Sequence, residues 1–83
     1  MHRARTTMTR LVEDEVVILD VTSGRYFSLD GAGALIWERL EQDTTHDELV
    51  DAVVNAFDVD RETAATDVDE LVAELADRGL VQQ

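Results

Sequence analysis

Two histidines, two serines and nineteen carboxylates are the side chains here with the chemistry for catalysis or metal binding. Their spacing argues against both. His2 lies in a short basic stretch, and His46 follows Thr45 at a helix start, where a solvated imidazole is expected. Ser23 falls in a turn and Ser28 in a strand. Neither has a histidine placed in sequence to act as its base, and no G-x-S-x-G elbow is present. The chain has no cysteine, which removes thiolate nucleophiles, thiolate metal sites and disulfides. Asp58-Val59-Asp60-Arg61-Glu62 has the alternating carboxylates of a calcium loop. Its sixth position would be Thr63, where the sharp turn needs glycine, and its twelfth would be Asp69, where a bidentate glutamate belongs. The same residues suit a helix cap and an acidic first turn. The expectation is a chain without enzymatic activity, cofactor or metal.

Charge sets the kind of partner. Nineteen acids against seven arginines give a net −12. Arg3, Arg5 and Arg10 lie in a segment without acids; beyond residue 10, four arginines face nineteen acids, a balance of −15. Such a surface repels phosphate backbones and attracts basic peptides or proteins. No nucleic-acid partner is expected. No apolar run approaches the ~20 residues that cross a bilayer. With no signal-peptide pattern, a soluble cytoplasmic protein is expected, without a membrane partner. An acyl carrier would match the size and acidity, but neither serine opens a helix.

The elements are readable from periodicity. Residues 1–7 are basic, polar and aperiodic, which predicts a flexible arm before a single domain over 8–83. Residues 8–13 suit a strand, with Asp14-Glu15 as a turn. Val16–Val21 is β-branched, Thr22-Ser23-Gly24 reads as a three-residue loop, and Arg25–Leu29 is the return strand. That loop pairs Val21 with Arg25, Leu19 with Phe27 and Val17 with Leu29. Val17, Leu19, Phe27 and Leu29 then face the core, with Ile18, Asp20, Tyr26 and Ser28 on the other side. Asp30 is placed to cap a helix over residues 31–41 carrying Leu35, Ile36 and Leu40, with Trp37 on its flank. Thr45 and Glu48 form a capping box for a second helix to Phe57, whose apolar face is Leu49, Val50, Val53, Val54 and Phe57. Asp60 caps a third helix to about Arg78, with Ala64, Val68, Leu71, Val72 and Leu75 in its stripe. Gly79 ends that helix, and Leu80 and Val81 can fold back on the core. A three-stranded antiparallel sheet followed by three helices is a winged-helix-like α+β fold, though a looser strand-plus-bundle arrangement has the same element count. A peptide-binding module needs only an exposed strand edge and a neighbouring apolar groove, and Arg25–Leu29 beside the third helix is the place for one.

Residues 9–81 resemble the PqqD-like family of small peptide chaperones, the RiPP recognition elements. The resemblance is carried by Leu19-Asp20, Gly24-Arg25-Tyr26, Leu29-Asp30, Gly33-Ala34, Ile36-Trp37, the Phe57–Asp60 turn and Leu71 to Leu80. The spacing L-D-x-x-x-G-x-Y-F followed by I-W is most similar to the stand-alone recognition proteins of lasso-peptide biosynthesis. Asp30 stands where asparagine is frequent in the family. The resemblance implies that a precursor's leader peptide, typically with Tyr-x-x-Pro in the lasso group, adds as a strand beside Arg25–Leu29 and packs on the third helix. The implied binding residues are Arg25, Tyr26, Phe27, Ser28, Leu29, Val68, Asp69, Leu71, Val72 and Leu75. The implied partners are the leader peptide, a cysteine-protease-like leader peptidase and an ATP-dependent cyclase. A peptide chaperone for another maturase, such as a radical-SAM enzyme, would carry much the same residues, and an unrelated acidic winged-helix interaction module is a more distant alternative.

Overall fold

The computed structural model describes residues 1–82. In chain order the elements are β1 (His2–Arg3), β2 (Thr7–Val12), β3 (Glu15–Asp20), β4 (Arg25–Leu29), α1 (Gly31–Arg39), α2 (His46–Phe57), α3 (Arg61–Asp77) and β5 (Val81–Gln82). Strands β2, β3 and β4 form an antiparallel sheet in that order, with β3 central. The expected α+β architecture of three strands and three helices is present, with one addition. Residues 1–7, expected as a loose arm, are tied down. β1 pairs antiparallel with β5. The Arg3 N–H donates to the Leu40 carbonyl at 3.0 Å and the Ala4 N–H to the Leu80 carbonyl at 2.8 Å. Ala4 is buried. No local pattern in residues 1–7 announces this, because the partner strand is supplied from the far end of the chain.

The two sheet turns differ from expectation by one residue each. β2 and β3 are joined by Glu13-Asp14, with Val12 opposite Glu15. Glu13 takes φ 58°, the left-handed region such a tight connection demands. At the second turn the loop has four residues, Val21 to Gly24, because Asp20 pairs with Arg25. The cause is the Asp20 side chain. Its carboxylate accepts from the Thr22 N–H at 3.1 Å and the Ser23 hydroxyl at 2.9 Å. The Gly24 N–H donates to the Asp20 carbonyl at 2.8 Å, and Gly24 closes the loop at φ 75°. Local side-chain bonding of this kind outcompetes the ladder, so the turn starts one residue early and Val21 is left half exposed.

The register follows. Ile18 pairs with Phe27 and Val16 with Leu29, while Leu19 pairs with Tyr26 and Val17 with Ser28. The core-facing set is therefore Val16, Ile18, Phe27 and Leu29. The expected inward positions of Val17 and Leu19 are corrected: both lie on the outer face, and Ile18 is fully buried instead.

The helices begin and end for visible reasons. Thr45 Oγ1 accepts from the Glu48 N–H and the Glu48 carboxylate accepts from the Thr45 N–H, completing the capping box of α2. Asp60 Oδ1 accepts from the Thr63 N–H at 2.7 Å and starts α3. The Asp58–Glu62 segment is thus the α2–α3 turn and the opening of α3. Asp30 sits at the N-cap of α1 in an extended conformation, but its side chain makes no capping bond. Gly79, at φ 73°, ends α3: its N–H reaches the Ala76 carbonyl and the Leu80 N–H reaches that of Leu75, a Schellman closure. Leu80 and Val81 then fold into the core as expected.

That core joins Val16 and Ile18 to Ile36, Trp37 and Leu40, to Leu49, Val50 and Val53 on α2, and to Ala64, Val68 and Leu75 on α3. Phe57, expected on the apolar face of α2, is exposed at the helix end. Trp37, placed on a flank by periodicity, is fully buried. Its Nε1–H donates to Thr9 Oγ1 at 2.9 Å, and the Arg3 guanidinium lies over its ring while donating twice to its carbonyl oxygen.

Candidate functional site: a groove beside an open strand edge

β4 is an edge strand with no neighbour beyond it among the described residues. Which of its backbone groups are free follows from one bond. The Val21 N–H donates to the Thr6 carbonyl, so Val21 points its backbone toward the β2 side. Backbone groups alternate sides along a central antiparallel strand. Leu19 and Val17 therefore bond to β2, and Asp20, Ile18 and Val16 bond to β4. Their partners Arg25, Phe27 and Leu29 are bonded inward. Tyr26 and Ser28 direct their N–H and C=O groups outward, to the open edge.

Beside that edge lies a groove against α3. A cavity of about 330 Å³ is lined by Tyr26, Phe27, Ser28, Leu29, Leu71, Glu74, Leu75 and Arg78. Phe27 and Leu29 reach it because the observed register turns them to the helix side. Leu71 and Leu75 reach it from α3. Gly33 helps close the floor: a Cβ there would meet Leu29 Cδ2 at 3.5 Å and Leu71 Cδ2 at 3.7 Å, so α1 lies against both walls. At one end the Arg78 guanidinium sits 4.6 Å from the centroid of the Phe27 ring and donates to Glu74 Oε1 at 3.2 Å.

Of the residues singled out from sequence, Tyr26, Phe27, Ser28, Leu29, Leu71 and Leu75 come together in this groove. Four do not line it. Val68 is fully buried in the core. Val72 is half-buried and packs against that core. Asp69 turns toward α2, where its carboxylate pairs with His46. Arg25 is exposed at the start of β4. Glu74 and Arg78 line the groove but were not singled out. Their signal was available: Leu71, Glu74, Leu75 and Arg78 are spaced i, i+3, i+4 and i+7, one face of a helix.

A strand edge with two free residues beside an apolar cleft can hold an extended peptide through main-chain bonds, while the cleft takes alternate side chains.

Comparison with known proteins follows the same line. The family model described as coenzyme PQQ synthesis protein D (PqqD) matches residues 15–81. The solved structure of TbiB1 in complex with the TbiA(beta) leader peptide superposes with a TM-score of 0.91 at 34% identity, covering 99% of this chain and 95% of that one. Lasso peptide synthetase B1 complexed with the leader peptide superposes with a TM-score of 0.86, covering 99% and 96% of the two chains; at 24% identity it speaks for the fold alone. No curated protein matches the chain. With the family model spanning most of its length and the fold shared, this chain belongs to the PqqD family.

Proposed function

We propose that this protein is a non-catalytic recognition element that binds the leader peptide of a ribosomally synthesised precursor, of the lasso class, by accepting it as a fourth strand beside β4. The observation that carries the reading is the pair of outward-facing backbones at Tyr26 and Ser28, set directly beside the Phe27–Leu29–Leu71–Leu75 groove. TbiB1, 34% identical over nearly the whole chain and complexed with a leader peptide, supports it. In this reading the bound precursor is handed in the cytoplasm to a separate cysteine-protease-like peptidase and an ATP-dependent cyclase. No described helix is long and apolar enough to cross a membrane. A second reading keeps the same peptide-binding role beside a different maturase; what supports it is that the family model is described for coenzyme PQQ synthesis. That alternative changes the partner enzyme and leaves the groove's role intact.

The test is a pair of proline substitutions, titrated with a fluorescent leader peptide; the TbiA(beta) leader is a first probe. Ser28→Pro removes an outward N–H that the sheet does not use, and an edge strand tolerates proline there. It should melt like the parent and lose most binding. Phe27→Pro removes an N–H bonded to β3 and should unfold the domain. A folded Ser28→Pro protein that binds normally would exclude β4 as the peptide's edge. Duplex DNA should not bind. The protein alone should neither cleave nor cyclise a precursor, and turnover without added enzymes would overturn the non-catalytic assignment.

A further inference from the structure

The sheet has a second open edge, and it too borders a groove. β2 lies on the far side of β3 from β4. The alternation that frees Tyr26 and Ser28 works here as well. With Met8, Arg10 and Val12 opposite Leu19, Val17 and Glu15, these three bond inward, and Thr7, Thr9 and Leu11 point their backbone groups outward. Thr7 is already used: its N–H and its hydroxyl both donate to the Ala4 carbonyl, at 3.2 and 2.7 Å. That turn closes one end of the edge. Thr9 and Leu11 remain, and no backbone bond from either is made outside the sheet among the described residues.

Beside them is a cleft of about 580 Å³ lined by Arg3, Thr9, Leu11, Glu38 and Glu41. Leu11 is 67% exposed there, although its position in the pleat is the one that faces the helices. A large aliphatic side chain on an unpaired edge, beside a cleft, is what sheet edges ordinarily avoid. The charge of the cleft is specific. The Arg3 guanidinium is committed to the Trp37 carbonyl, with Nε at 2.9 Å and an Nη2 at 2.8 Å. Burial lowers its pKa, and Glu41 and Glu38 oppose that shift from nearby. Two exposed carboxylates thus face one internally engaged cation.

We infer that the β2 edge is a second strand-accepting site, which takes an extended segment of a partner protein carrying an apolar and a basic side chain two residues apart, on one face of the strand. The segment would bond to the Thr9 and Leu11 backbones, set an apolar side chain against Leu11, and place a lysine or arginine between Glu38 and Glu41. A second copy of this chain fits the site poorly. β2 has a single arginine, Arg10, which lies on the opposite face of the sheet from Leu11, and two molecules of net charge −12 repel. Because β3 separates the two edges, a partner at β2 and a peptide at β4 can be held at once on opposite sides of one sheet. This inference is independent of what occupies β4.

A hexapeptide of sequence Thr-Val-Thr-Lys-Thr-Val, blocked at both ends and so carrying valine and lysine on one face, is the probe, and amide chemical shifts are the readout. Saturable shifts are expected at Thr9 and Leu11, and in the Ser28→Pro protein as well. The same hexapeptide with glutamate in place of its lysine should bind several-fold more weakly. Leu11→Pro, which removes an outward N–H, should keep the fold and abolish the shifts. If that variant unfolds, the Glu38→Gln and Glu41→Gln double variant on the surface of the domain tests the same point and should weaken the probe several-fold. Shifts confined to Tyr26 and Ser28, no shift at all, or equal binding of the glutamate peptide would overturn the inference. So would a concentration-dependent dimer by sedimentation that shields Thr9 and Leu11 without probe.

Discussion

The guanidinium of Arg78 lies over Phe27, with its Cζ 4.6 Å from the ring centroid. This links the end of α3 to the middle of β4 across the mouth of the groove. Glu74, one turn back on α3, accepts a hydrogen bond from Arg78 at 3.2 Å and holds it in place. An exposed cation–π contact contributes only about 0.5–1 kcal/mol to stability. Its larger effect is on shape, since the arginine stem forms one wall of the cavity. Arg78→Ala should lower the melting temperature slightly and weaken leader binding several-fold. Arg78→Lys should recover the charge but only part of the affinity, because a compact ammonium does not stack as a planar guanidinium does. Calorimetric titration of both variants against one peptide checks this; equal affinities for all three proteins would show that the wall is dispensable.

The register predicts an asymmetry between neighbours in β3. Ile18 is fully buried against the helices, whereas Leu19 lies half-buried on the outer face. Ile18→Ala should cost roughly 2–5 kcal/mol, as large-to-small core substitutions do. Leu19→Ala should cost about 1 kcal/mol or less, in the range of ordinary substitutions outside the core. Urea unfolding of the two variants measures both. The reverse order would mean a strand slipped by one residue.

Charge should act mainly on the rate of encounter. The groove opens on a protein of net charge −12, so basic leader residues are drawn in over distances comparable to the screening length, about 8–10 Å at moderate salt. Stopped-flow association of a basic leader should slow as salt rises, with little change in dissociation. An association rate flat across the salt series would assign binding to apolar and main-chain contacts alone.

Acid should loosen α3 from its start. The Thr63 N–H bonded to Asp60 holds that carboxylate below its ordinary range. A group with a lowered folded-state value stabilises the fold above its unfolded pKa, near 4, and loses that contribution as pH falls through the folded value. Asp60→Ala should therefore lower the melting temperature at neutral pH, and the gap from the parent should close as the pH drops below about 4. A gap unchanged down to strong acid would mean that the cap contributes through something other than the charged carboxylate.

Much of the fold was legible because its causes are local. The capping box at Thr45 and Glu48, the Asp60 cap, and the Gly79 stop with Leu80 folding back are short-range devices, and the structure repeats each of them. The apolar stripes of α2 and α3 needed only their period. The strand edge at Arg25–Leu29 was legible too.

What the sequence left open depended on competition or on distance. Thr22-Ser23-Gly24 and the β-branched Val21 suggested a three-residue loop, but the Asp20 carboxylate began the turn earlier and moved Ile18 into the core in place of Leu19. Val68 and Leu71 share one stripe, and only the packing of α1 and β4 decides that the first is core and the second groove. The first residues carry no pattern of their own; β5, the carbonyls of Leu40 and Leu80, and the buried Trp37 give them their place. Local hydrogen bonding and periodicity can be read along a chain. Pairing between residues some eighty positions apart, and the division of one apolar stripe between core and cleft, exist only once the elements have packed.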